Sequence, residues 1–118
     1  MVRFVDFDLL ARRFRALSDP TRVQILYFLN SRCQQNNQVR VSEIAEYITG
    51  SSAPSSRISF HLKELKAAGL VIVVRSGKYH LCQPCPESAD DLLKFLQGRE
   101  EKRAAIMLPE CDSVANAV

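Results

Sequence analysis

One helical stripe followed by two glycines constrains this chain more than any other feature. In "RISFHLKELKAAGLVIVVRSGKYHL", residues 57 to 81, Ile58, Leu62 and Leu65 recur at i, i+4 and i+7, so one face of a helix is apolar. Gly69 ends that helix. "LVIVV" and "KYHLC" then flank Arg75-Ser76-Gly77, two β-rich runs around a short glycine-containing connection, which predicts a hairpin. A helix feeding directly into a hairpin leaves few ways to bury both apolar faces.

Earlier segments supply what that pair packs on. In residues 6–17, Phe7, Leu10, Phe14 and Leu17 share one helical face. Asp19-Pro20 reads as a cap with proline at the first helical position. The helix that follows is apolar nearly all round: Ile25, Leu26, Leu29 and Cys33 lie on one side, with Val23, Tyr27 and Phe28 beside them. It is expected to be the central, most buried one. "QQNNQ" reads as a loop and Val39 and Val41 as a short strand. Ser42 is expected to cap a third helix that ends at Gly50. The fourth helix is expected over roughly 54–67 and a fifth over about 87–98, carrying Leu92, Leu93, Phe95 and Leu96.

The order predicts a mostly α chain with a β-hairpin wing, a winged helix-turn-helix. Residues 1–98 form the domain, and residues 99–118 form a charged C-terminal extension. The length of 118 residues fits one domain. Hydrophobic residues at 47% and charged residues at 25% are ordinary for a folded soluble protein. Apolar runs are too short to cross a bilayer, and Met1-Val2-Arg3 leads into charged sequence rather than an apolar leader. The cytoplasm is therefore the expected compartment, with no membrane partner.

The net charge of +3 does not by itself name a partner, but its placement does. Between Thr49 and Pro86 the only acidic residue is Glu64, against Arg57, Lys63, Lys66, Arg75 and Lys78. On the fourth helix the buried stripe leaves Ser55, Ser56, Arg57, Ser59, His61 and Lys63 on other faces. Short hydroxyls and an arginine near a helix start suit base edges and phosphates, since helix amide ends also favour anions. Arg75 and Lys78 bracket the wing tip. Double-stranded DNA is the expected partner.

"LSDPTRVQILYFL", "ISFHLKELKAAGLV" and "RSGKYHL" resemble the ArsR/SmtB family of winged-helix repressors, over about residues 8–97. The resemblance implies a homodimer that represses its operator and is released by an inducing metal or metalloid. It places the dimer interface on the first and last helices, here Phe7, Leu10, Phe14, Leu92, Phe95 and Leu96. The chain departs from the family's effector sites. "VSEIAEYI" lacks the Cys-Val-Cys arsenite motif, and "ESADDLLKFLQG" has Asp90 and Asp91 but no histidine.

Four cysteines remain: Cys33, Cys82, Cys85 and Cys111. The pair in Cys82-Gln83-Pro84-Cys85 is spaced to hold one soft ion. As(III) or Sb(III) wants three thiolates, with Cys111 the first choice for the third and Cys33 the alternative. Cd(II) or Zn(II) wants four ligands, and His80 is a candidate nitrogen. Thiol oxidation needs only the pair. A cytosolic CxxC redox enzyme is the reading from another class. Against it, the CxxC does not open a helix within a βαβ unit.

Overall fold

The computed structural model describes residues 6–32 and 38–98. Five helices and three short strands follow one another: α1 Phe7–Ala16, α2 Pro20–Arg32, β1 Val39–Arg40, α3 Val41–Thr49, α4 Ser56–Ala67, β2 Val71–Ser76, β3 Tyr79–Pro84 and α5 Pro86–Leu96. The strands make an antiparallel sheet in the order β1-β3-β2. This is the winged helix-turn-helix expected above, with α3 and α4 as the helix pair and β2–β3 as the wing.

Local chemistry explains the junctions. Asp19 caps α2, its Oδ1 accepting from the Thr21 amide at 2.8 Å ahead of the Pro20 start. Partial burial tends to raise the Asp19 carboxyl. The Thr21 and Arg22 amides, with the charges of His61 and Arg22, outweigh that and hold it below its ordinary value. Gly69 ends α4 in a left-handed conformation, φ +75°. Its amide donates to Lys66 O and that of Leu70 to Leu65 O, a Schellman closure that aims the chain into β2. Gly77, at φ +62°, makes the wing turn with Lys78, so β2 runs on through Arg75 and Ser76 rather than stopping before them.

Two helix starts differ from expectation. Ser42 does not cap α3. Pairing of β1 with β3 holds Val39 and Arg40 extended, so the helix begins at Val41 with Arg40 as its cap. The Arg40 amide donates to the Glu43 carboxylate at 2.9 Å. α4 starts at Ser56, because Ser55 Oγ accepts from the Ile58 amide at 3.3 Å.

The core gathers Ile25, Phe28 and Leu29 of α2, Ile44 and Ala45 of α3, and Ile58, Leu62 and Leu65 of α4. Val39, Val71, Cys82 and Leu92 close it from the sheet and α5. α2 is central but not buried all round. Val23 and Tyr27 sit one turn apart on an open face, Tyr27 being 68% exposed. No helix among the described residues is long and apolar enough to cross a membrane.

Candidate nucleic-acid interface

α4 presents its N-terminal half outward because its aliphatic stripe points the other way; Phe60, 53% exposed, is the apolar side chain left on the outer side. Ile58, Leu62 and Leu65 are buried, leaving Ser56, Arg57, Ser59 and Lys63 exposed and Ser55 half-buried at the cap. Arg57 is held at the start of the helix, its guanidinium donating to Thr21 Oγ1 of α2 at 3.2 Å. That restraint lowers the rotamer entropy an arginine gives up on meeting a ligand. On the wing, Arg75 Nε donates to Gly77 O at 3.2 Å, and the Lys78 ammonium lies 5.5 Å from the centre of the Tyr79 ring. The structure thus brings Ser55, Ser56, Arg57, Ser59, Lys63, Arg75 and Lys78 to the surface of α4 and the wing.

His61 is the exception. It is 7% exposed, and its Nδ1 accepts from Arg22 Nε at 3.1 Å. Its ring meets Phe60 edge-on at 5.7 Å, while the Arg22 guanidinium covers Phe60 at a similar distance. The residue ties α4 to α2. Its position three residues beyond Ile58 and one before Leu62 puts it at the edge of the buried stripe, which the residue-type reading missed.

Sequence reasoning also passed over Arg40 and Tyr79. The Arg40 guanidinium lies 4.9 Å from the centre of the Tyr79 ring. A two-residue strand carries no periodicity, so nothing local marked Arg40 as a neighbour of the wing.

The two cysteines of the CxxC have different surroundings. Cys82, on β3 between Val39 and Val73, has 0% exposure and belongs to the core. Cys85 is half-buried as the cap of α5. Its amide donates to Leu70 O at 3.0 Å, and its sulfur lies 3.4 Å from Ser88 Oγ, a hydroxyl that also donates to Gly69 O. His80 is exposed near the wing tip. Among the described residues no three cysteine, histidine or carboxylate side chains come together as a metal site. Cys33 and Cys111 lie outside the described residues, as does the extension 99–118. The described donors therefore do not fit a three-sulfur or four-ligand centre by themselves.

α1 and α5 meet through Phe14 and Phe95, ring centres 6.0 Å apart. On the same two helices Phe7, Leu93 and Leu96 remain open, Leu96 at 67% exposure. Leu92, expected at a dimer surface, is buried in the chain's own core.

A helix pair with an outward second helix and a hairpin wing defines the fold class, a winged helix-turn-helix. Residues 19–73 match the family model described as bacterial regulatory protein, arsR family. The HTH-type transcriptional regulator KmtR of Mycobacterium tuberculosis H37Rv is 44% identical over 64 residues, 54% of this chain. That match spans less than half of the relative's length, 43%. An ArsR-like transcriptional regulator from Rhodococcus sp. RHA1 superposes with a TM-score of 0.64 at 26% identity, covering 94% of this chain and 90% of that one. A homodimeric winged helix-turn-helix DNA-binding domain from Mycobacterium bovis, a possible ArsR-family regulator, gives a TM-score of 0.58 at 27% identity, with 77% of each chain covered. The helix-turn-helix segment, residues 19–73, is thus similar to the arsR-family model, and these relatives are described as transcriptional regulators.

Proposed function

We propose that this chain is a homodimeric DNA-binding repressor that lays α4 into a major groove and its wing along the adjoining backbone. The observation that carries this reading is the outward set on α4, Ser56, Arg57, Ser59 and Lys63, continued by Arg75 and Lys78 of the wing. Arg57 is the candidate base reader, since a guanidinium presents two parallel donors to a guanine edge. Lys63, Arg75 and Lys78 are the phosphate partners. Pairing is supported by the exposed Phe7 of α1 and Leu93 and Leu96 of α5, and the M. bovis relative is a homodimer. Retention on duplex DNA tests the reading. Binding should be strong at low salt and fall steeply as salt rises. Absence of any retention would overturn it.

Release by a thiophilic effector is the finer part of the proposal, with As(III) or Sb(III) first and Cd(II), Zn(II) or thiol oxidation as alternatives. Cys85 supports it. This thiol is partly accessible, and through Ser88 and Leu70 it touches the turn that ends α4. A change at Cys85 therefore bears on the seating of that helix. Cys82 weighs against a preformed centre, because its sulfur is sealed in the core. A three-sulfur site would need Cys111 or Cys33 to join the pair. Gel-shift release by each ion, run on Cys33→Ser, Cys82→Ser, Cys85→Ser and Cys111→Ser, tests this. Cys85→Ser should stay on DNA when the inducer is added. Normal release by that variant removes the thiol reading and leaves DNA binding standing.

A further inference from the structure

A cavity of about 330 Å³ opens between the starts of α3 and α4 and the wing. Three basic side chains, Arg40, Lys78 and His80, line it together with four serines, and no Asp or Glu is among its described lining residues. Val41, Ala45, Ala53, Pro54, Ile58 and Tyr79 form the rest of its lining, and the basic and hydroxyl groups are the donors an anion there would meet.

Two further features give it shape and sign. Tyr79 meets both charged side chains, with the Arg40 guanidinium 4.9 Å and the Lys78 ammonium 5.5 Å from its ring centre. Such contacts hold long side chains in place while leaving their N–H groups available. Arg40 is fixed at its backbone too, by pairing with Leu81 of β3 and by the hydrogen bond its amide donates to the Glu43 carboxylate. α4 begins at the cavity's edge after the Ser55 cap, so its amide end adds partial positive charge to that of the side chains, while the start of α3 is offset by the Glu43 carboxylate.

We propose that this cavity seats a phosphate of the DNA backbone, with Arg40 and His80 as contacts beside Lys78. The proposal rests on reading α4 and the wing as the DNA-binding surface, and it adds a site that the α4 face does not contain. A phosphodiester carries one negative charge on two oxygens that only accept, matching a lining of guanidinium, ammonium and hydroxyl donors. A contact of this kind fixes the register of the protein on the duplex and reads no sequence.

Fluorescence anisotropy on duplexes of two unrelated sequences, between about 50 and 200 mM salt, tests it. The proteins are wild type, Arg40→Gln, Arg40→Lys, His80→Gln and, as a matched charge loss on α1, Arg12→Gln. Arg40→Gln should make the slope of log K against log salt shallower by about one unit and weaken binding about tenfold near 0.1 M salt, equally on both sequences. His80→Gln should weaken both sequences alike. Arg40→Lys should restore the slope, and Arg12→Gln should leave it unchanged. A wild-type slope in Arg40→Gln overturns the phosphate site alone. So does a loss confined to one sequence, which would make Arg40 a base reader. A wild-type protein with no salt-dependent retention overturns the DNA-binding reading and this site with it.

Discussion

α4 and α5 rest on the same core yet turn opposite chemistry outward. α4 buries Ile58, Leu62 and Leu65 and exposes hydroxyls and cations along its first two turns, with Phe60 the one large apolar side chain among them. α5 buries Leu92 and Ser88 and leaves Leu93 and Leu96 in the open, as α1 leaves Phe7. Burying apolar area against a second protein removes it from water, whereas a row of serines and an arginine gains most from a polar, anionic surface. The contrast fits the proposed partners: duplex DNA for α4, a second copy of the chain for α5.

The comparison breaks first at the core beneath α4. Leu65 has no exposure, so Leu65→Ala should lower stability by about 2–5 kcal/mol in chemical denaturation. A loss under 1 kcal/mol would mean that α4 is not anchored by its stripe. On the other helix, Leu93→Asp with Leu96→Asp should move the protein from dimer to monomer in sedimentation equilibrium. Each leucine contributes about 1.5 kcal/mol or more of association when fully covered. An unchanged dimer would place the interface elsewhere. Arg57→Ala should weaken operator binding by about 1–3 kcal/mol and relax the preference for one sequence. Equal weakening on every sequence would make it a phosphate contact instead. The smallest effect is expected at the cap. Ser55→Ala removes an acceptor for the Ile58 amide and should cost about 1 kcal/mol of stability, read as a shift in the denaturation midpoint.

What the residues disclosed in advance divides along the same lines. The α4 stripe, Gly69 and Gly77 are local signals, and they specified the helix, its end and the wing turn. His61 was misplaced because its partner, Arg22, is 39 positions away, and residue type alone read an imidazole as surface. Arg40 escaped notice for a related reason: its value comes from pairing with β3 and stacking on Tyr79, both long-range. The CxxC spacing was legible, but strand alternation decides the fate of each sulfur. Cys82 points into the core from β3, while Cys85 sits past the strand's end at the start of α5. Spacing carries no information about that split.

The central assignment, α4 and the wing to DNA, is tested most directly by amide NMR shifts recorded as duplex DNA is added to the wild-type protein. The shifts should concentrate in residues 55–63 and 75–80, with α1 and α5 little changed. Bound DNA that perturbs α1 and α5 while leaving α4 untouched would contradict the assignment.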